Sequence, residues 1–291
     1  MKVLIVGGSG MLGHKLVQTL SDKFDLWTTL RTTFNEYEHF GIFDKRKTLE
    51  NIDVENFTTV EKAIVNLKPD VIVNAVGIIK QLPSAKNIIK TLTVNSIFPH
   101  QLAEISNQIK ARLITISTDC VFTGKKGKYI EKDVSDAEDL YGKSKYLGEV
   151  ASENCLTVRT SIIGRELNTS HSLIEWFLSN EGKSVKGYAN AIYSGFPTII
   201  MADIIGDIIE NHPRLQGLYH VSSESISKYD LLKLVKDAYR ADVRIKPYDD
   251  FIIDRSLDSA RYREATGFQP LPWREMIDKM AAGNHPYQKK N

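Results

Sequence analysis

Two side chains in the run Tyr141-Gly142-Lys143-Ser144-Lys145 have the types and spacing for proton transfer. Residues four apart share one face of a helix, so Tyr141 and Lys145 point the same way if the run is helical. A nearby ammonium stabilises a phenolate and lowers the tyrosine pKa. A tyrosine tuned in this way gives or takes a proton near neutral pH. The pair alone also describes an ordinary solvated helix face, so its context decides. Upstream, the apolar run Leu113-Ile114-Thr115-Ile116-Ser117 ends in Thr118-Asp119. That places the Thr118 hydroxyl at the carboxyl end of a strand, where ligands bind in open α/β sheets.

A second constellation lies at the start of the chain. Gly7-Gly8-Ser9-Gly10-Met11-Leu12-Gly13 follows the apolar run Val3 to Val6 and carries glycine at every third position. Such a loop makes a tight turn, lets backbone approach a pyrophosphate and packs the next helix on the sheet. The helix N-terminus then offers free N–H groups and the positive end of its dipole to the phosphates. Gly7, Gly10, Met11, Leu12 and Gly13 are therefore candidate cofactor contacts. The second strand ends Thr28-Thr29-Leu30-Arg31-Thr32, with no acid until Glu36. NAD sites usually carry an acid there. Arg31 instead offers forked donors to a 2′-phosphate. NADP(H) is favoured over NAD(H), unless Arg31 is a plain surface charge. Asp53, before Val54, is placed where the adenine ring would lie.

These residues need a scaffold, and the rest of the first half supplies one. Strand-like runs at Val3–Val6, Asp25–Leu30, Asp70–Ala75, Leu113–Ser117 and Leu156–Arg159 alternate with helical patterns. The helices are expected after Leu12, at Val60–Leu67, Asn95–Gln108 and Leu140–Ser152. Alternation of this kind means parallel strands with right-handed crossovers. The fold class is α/β, a Rossmann-type doubly wound parallel sheet. After Gly164 the elements shorten: helices at Leu173–Leu178, Lys228–Tyr239 and Trp273–Ala281, strands at Val185–Gly187 and Leu218–Val221. The expected division is a dinucleotide-binding domain over residues 1–164 and a smaller substrate-binding lobe over 165–291, interwoven with the main sheet.

Composition narrows the partners. A net charge of +2 in 291 residues argues against a nucleic-acid polymer. Two cysteines, Cys120 and Cys155, imply no disulfide framework and suit a reducing cytoplasm. The apolar start is too short for a signal peptide or a membrane span. The chain is expected to be cytoplasmic and free of membrane. His14, His39, His100, His212, His220 and His285 lack metal-ligand spacing, so no metal site is expected. Tyr287 to Asn291, with Lys289 and Lys290, reads as a solvated tail.

Taken together, the motifs resemble one family. Ser117-Thr118-Asp119-Cys120-Val121-Phe122, then Gly124, Gly127, Tyr129 and Glu131, then Tyr141 through Glu149, are similar to the dTDP-4-dehydrorhamnose reductases, extended short-chain dehydrogenase/reductases. Val158-Arg159-Thr160-Ser161 resembles that family's strand after the catalytic helix. Asn74-Ala75-Val76-Gly77 is similar to the stretch bordering the cofactor, Asn95 to the helix asparagine near the active site, and Arg255-Ser256-Leu257-Asp258 to a segment of the substrate lobe. The likeness is close over residues 1–165 and loose beyond. It implies NADPH-dependent reduction of a 4-keto-6-deoxy nucleotide sugar in surface polysaccharide or deoxysugar biosynthesis. Tyr141 would give a proton to the carbonyl oxygen, Thr118 would hydrogen-bond that oxygen, and Lys145 would hold the nicotinamide ribose and tune Tyr141.

Departures from the pattern leave alternatives open. The related sugar 4,6-dehydratases carry Thr-Asp-Glu, but here Cys120 replaces the glutamate, which argues against dehydration. Rhamnose reductases usually show tyrosine at that place. GDP-fucose synthase, a related epimerase–reductase, looks similar in pairing such a cysteine with a histidine, and His171 lies in a comparable stretch. Cys120 and His171 would then move a proton beside a keto group; otherwise Cys120 is a small packing residue. The candidate sugar contacts are Lys80, Asp119, Cys120, His171, Trp176 and Arg255, with Lys80 and Gln81 equally readable as loop surface. Leu173, Ile174, Trp176 and Phe177 read as core, on a helix that could line the pocket. A further alternative is a non-catalytic NADP-binding regulatory subunit, as in methionine adenosyltransferase; the intact Thr118, Tyr141 and Lys145 argue for an enzyme. A homodimer is left open.

Overall fold

The computed structural model describes residues 1–283 and Tyr287. Six strands follow the chain: β1 (Lys2–Val6), β2 (Asp25–Thr29), β3 (Thr48–Leu49), β4 (Val71–Asn74), β5 (Arg112–Thr118) and β6 (Cys155–Thr160). With β7 (Gly217–His220) they form one sheet in the order β7-β6-β5-β4-β1-β2-β3. Every pairing in it is parallel. The chain runs outward from β1 to β3 and then crosses back to β4. The order reverses beside β1, so a crevice opens at the carboxyl ends of β1 and β4.

Alternation along β1 explains the two helical layers. Val3 and Ile5 point into one core with Leu16 and Leu20 of α1 (Gly13–Leu20). Leu4 and Val6 point into the other, with Val60 and Ile64 of α2 (Phe57–Leu67). A short helix α3 (Ile88–Leu92) leads through a π-helical turn, Thr93–Ile97, into α4 (Phe98–Ile109), whose Phe98 and Leu102 join that second core. The sequence expectation begins this helix at Asn95; the chain is already helical seven residues earlier. The helix α5 (Leu140–Leu147) carries the Tyr141–Lys145 pair. It ends before the expected Ser152, because the Gly148 backbone lies against the Asn95 carbonyl and the chain turns away.

Beyond Gly164 come α6 (Leu173–Leu178), α7 (Thr198–Asn211), α8 (Lys228–Tyr239), α9 (Ala260–Thr266) and α10 (Trp273–Ala282), with short strand pairs between them. Ser184–Tyr188 pairs in parallel with Arg244–Tyr248, and Ala191–Tyr193 lies between Ile226–Ser227 and Ile253–Asp254. This half also returns to the main layers. β7 extends the sheet beside β6, and Met201, Ile205 and Ile208 of α7 enter the core with α1. The expected solvated tail needs one correction. Tyr287 folds back onto α1, where its hydroxyl lies 2.8 Å from His14 Nε2 and its ring accepts the Arg165 guanidinium at 4.6 Å. An aromatic ring gains by covering apolar surface while its hydroxyl finds a partner. His285, Lys289 and Lys290 lie outside the described residues. No helix among the described residues is long and apolar enough to cross a membrane.

Candidate active site

The cofactor cradle follows from β1 and the turn after it. Gly7 has φ +91°, in the left-handed region that favours glycine, and a Cβ there would meet Val76 Cγ2 at 2.6 Å. A Cβ on Gly13 would strike the Gly7 carbonyl oxygen at 2.0 Å, so this glycine lets α1 pack onto the turn. At Gly10 the nearest atom would be the Gly7 oxygen at 3.3 Å, which leaves an open face over the loop. Leu12 precedes α1 with no side-chain cap, and the His14 N–H goes to the Gly10 carbonyl at 3.1 Å, so the helix directs the positive end of its dipole at the glycine turn. Asn74 closes the floor: its Oδ1 accepts the Val76 N–H at 3.1 Å and its amide donates to Thr115 Oγ1 at 3.2 Å. Ala75 and Gly77 complete that turn beside Gly7.

At the far end of the crevice, Arg31 is exposed just after β2. The neighbouring Thr32 hydroxyl is buried with no hydrogen-bond partner among the described residues. A buried orphan donor beside a free guanidinium fits a phosphorylated or hydroxylated ribose. Asp53 takes part in a local turn: one carboxylate oxygen accepts the Glu55 N–H at 3.0 Å. The loop, Asn74–Gly77, Arg31 and Thr32 thus suit a dinucleotide.

Thr118 ends β5, and Asp139 caps α5 by accepting the Gly142 N–H at 2.7 Å. A Cβ at Gly142 would meet the Cys120 carbonyl oxygen at 2.2 Å, so glycine lets the first turn of α5 lie directly on the Asp119–Val121 turn. That contact brings Tyr141 close enough to Thr118 for the threonine hydroxyl to act on the phenol. The π-helical turn holds the other side. Asn95 is buried, accepts the Ile78 N–H at 2.8 Å, and donates to the Ile78 carbonyl and to Ser144 Oγ. One amide therefore locks the Asn74–Ile78 segment to α5. π-turns of this kind recur at functional sites.

Lys145 Nζ donates to the Ile116 carbonyl at 2.7 Å and faces Gly77. Burial lowers its pKa to about 8, while the Glu149 carboxylate one turn on pulls it upward. Lys145 is not among the groups that act on Tyr141. Burial pushes the phenol well above its usual range, Cys120, Asp119 and Asp139 push it further, and the Thr118 hydrogen bond opposes them. Lys145 Nζ is on the Ile116 carbonyl, and the groups around Tyr141 favour its protonated form.

The candidate sugar contacts divide. Lys80 and Arg255 both reach Cys120, at 3.9 and 3.6 Å from its sulfur. Asp119 is buried next to Thr118 and accepts its hydroxyl at 3.1 Å. His171 is exposed and its backbone N–H donates to Glu166; no hydrogen bond or ion pair joins it to Cys120 among the described residues. Trp176 is not core: it is 39% exposed, while Ile174 and Phe177 on the same helix are buried. Among the described residues no group of three or more His, Cys, Asp and Glu side chains could hold a metal ion.

Sequence reasoning missed Lys228, read as a mere helix start, whose ammonium feels Asp119, Cys120, Lys80 and Arg255 electrostatically. It also missed the pair of Glu149 with Arg159, buried at 2.6 Å behind Lys145. Spacing could not reveal the second, since Glu149 lies past the end of α5, where helical periodicity no longer sets its direction.

The RmlD substrate binding domain family matches residues 1–284. A dTDP-4-dehydrorhamnose reductase of Aggregatibacter actinomycetemcomitans is 26% identical over 97% of this chain and 98% of its own. Methionine adenosyltransferase 2 subunit beta of Xenopus tropicalis is 23% identical over 95% of this chain and 80% of its own. The crystal structure of dTDP-4-dehydrorhamnose reductase from Bacillus anthracis, in complex with NADP, superimposes with a TM-score of 0.79 at 24% identity, over 97% of this chain and 99% of that one. The chain belongs to the RmlD family, the dTDP-4-dehydrorhamnose reductase-like branch of the extended short-chain dehydrogenase/reductases, NAD(P)-dependent oxidoreductases of sugar-nucleotide metabolism.

Proposed function

We propose that this enzyme reduces the keto group of a 4-keto-6-deoxy nucleotide sugar, with NADPH preferred over NADH. The observation that carries the reading is the meeting of Thr118, Tyr141 and Lys145 at the crevice, with Tyr141 held as a phenol. A reduction needs a proton donor at the carbonyl oxygen, and a protonated phenol is one. The nicotinamide, when bound, supplies hydride chemistry that no side chain offers. The protein's part is positional and electrostatic. Thr118 and Tyr141 present two hydroxyls to one oxygen, and Tyr141 releases its proton as negative charge develops there. An ammonium has three donors and Lys145 uses one on Ile116, which leaves two for ribose hydroxyls. Asn95 holds the cofactor floor and the catalytic helix in one register.

The NADP preference rests on Arg31 and the unpartnered Thr32 hydroxyl, and on the absence of an acid directly after β2. An intact proton-donating set supports an enzyme over a regulatory subunit, even though the chain also resembles methionine adenosyltransferase 2 subunit beta. Purified protein is to be offered TDP-, UDP- and GDP-linked 4-keto-6-deoxy sugars while NADPH absorbance is followed. Oxidation with one of them is expected. Tight NADPH binding with no oxidation across the panel would remove the reductase reading.

A further inference from the structure

Two basic side chains from separate parts of the chain converge on one small neutral residue beside the chemical centre, and a third acts on it electrostatically. Lys80, in the loop after β4, and Arg255, in the last third of the chain, each bring a nitrogen within 4 Å of Cys120 Sγ, at 3.9 and 3.6 Å. Lys228, the first residue of α8, acts electrostatically on the same group. Cys120 is two residues past Thr118, whose hydroxyl accepts the Cys120 N–H at 3.1 Å. The cluster therefore touches the place where the carbonyl would be reduced.

Its charges do not balance. Asp119 is the carboxylate that acts on both Cys120 and Lys228. It already accepts the Thr118 hydroxyl at 3.1 Å. The sulfur adds no negative charge at neutral pH: burial pushes the thiol up to about 11, with Asp119 adding to the rise and the two cations opposing it. A neutral thiol is a weak acceptor and a poor partner for an ammonium. Lys80 is exposed and Arg255 and Lys228 are half-buried, so these like charges repel one another where water screens them only in part, and an anion between them relieves that repulsion. Burial accordingly disfavours the charged form of Lys228.

We infer that Lys80, Lys228 and Arg255 form an anion-binding subsite around Cys120, which receives an anionic oxygen group of the substrate: a phosphate of its diphosphate, or a carboxylate on the sugar. The inference rests on the proposed nucleotide-sugar reading for the identity of that substrate, but not for the subsite itself. It gives Cys120 a role without acid–base chemistry, as the small neutral floor of the subsite. Arg255 is held for the task, since its Nε donates to the Phe122 carbonyl at 2.8 Å and leaves Nη1 turned to the sulfur.

Calorimetry on the full chain tests this with inorganic pyrophosphate, UDP-glucose, TDP-glucose and UDP-glucuronate. Wild type is compared with Lys80→Met and Lys228→Met, which keep length and apolar stem while removing charge. NADPH binding, which uses neither lysine, serves as the control for folding. Each variant is expected to weaken anion binding about tenfold or more, as for the loss of a charge-assisted contact. Weakening of pyrophosphate and both glucose conjugates identifies the diphosphate as the source. Weakening confined to UDP-glucuronate identifies a sugar carboxylate. Affinities unchanged in both variants for every probe, or no binding of any probe to wild type, overturn the subsite. If the subsite binds these anions but no keto-sugar is reduced, the proposed reaction fails and the subsite stands.

Discussion

Tyr141 sits among groups that favour its phenol, with Asp119, Asp139 and Cys120 acting alongside burial. Removing only the hydroxyl removes the proton but not the shape. Tyr141→Phe is therefore expected to lower turnover at least about 10²-fold while NADPH binding stays near wild type; turnover within a few-fold of wild type would show that the proton comes from elsewhere. Arg31 makes the opposite kind of contribution, to binding and not to chemistry. Arg31→Ala is expected to weaken NADP by about 1.5–3 kcal/mol and leave NAD almost unchanged. Equal losses for both cofactors, read by fluorescence titration, would mean that Arg31 meets no 2′-phosphate. At this scale the sequence was informative where residue type and spacing coincide, as in the glycine loop, Thr118 and the Tyr141–Lys145 pair. It could not show that Lys145 bonds the Ile116 carbonyl, nor that Lys228 comes under the influence of Cys120 and Asp119, because both depend on what folds opposite them.

Elements are tied together behind the site by one buried ion pair. Arg159 of β6 donates from Nε and Nη2 to Glu149, at 2.7 and 2.6 Å, and Ser117 of β5 donates to the same carboxylate at 2.7 Å. The pair is nearly dry, with side chains 3% and 9% exposed. Two strands and the end of the catalytic helix meet there. Breaking one partner strands the other: Arg159→Met is expected to cost about 3–5 kcal/mol in urea denaturation. The double variant Arg159→Met, Glu149→Leu should recover much of that loss, since neither charge is then left unpaired. Additive losses would mean that the two residues do not act as a pair. Regular elements with a clear apolar period were legible, as α6 and α8 show. The helix α7 was not read from the sequence, although Asp203, Asp207 and Glu210 recur at helical spacing through its otherwise apolar run, nine of whose residues are buried. The strand β3 has two residues, too few for any alternation to register.

The whole molecule is joined across its two halves by histidines that are neutral in the fold. His14 on α1 has Nδ1 at 2.8 Å from the Gly10 carbonyl and Nε2 at 2.8 Å from the Tyr287 hydroxyl, so the first nitrogen donates and the second accepts. His220, ending β7, has Nδ1 at 2.9 Å from the Tyr129 carbonyl and Nε2 at 3.2 Å from Arg159 Nη1, with the same division of roles. A second proton on either ring would cancel an acceptor, and on His220 it would set a cation against a guanidinium. Burial lowers both pKa values to about 4 from 6.5, opposed at each ring by its backbone hydrogen bond and assisted at His220 by Arg159. The sign follows from proton counting. Between pH 6.5 and 4 the unfolded chain holds protons on these rings that the folded chain refuses, so stability falls as pH falls through that window. Above pH 6.5 neither state is protonated and the contribution is level. The loss is about 3 kcal/mol for each histidine across the full window, an order-of-magnitude figure. Urea midpoints at pH 7.5, 6.0 and 5.2 should therefore decline in order, above the range where most carboxylates titrate, with free values of about 4. His14→Gln and His220→Gln, which keep a donor and an acceptor but cannot take a proton in this range, should each flatten the decline even if they lower the midpoint at pH 7.5. A decline as steep in both variants as in wild type would place the acid sensitivity elsewhere in the molecule.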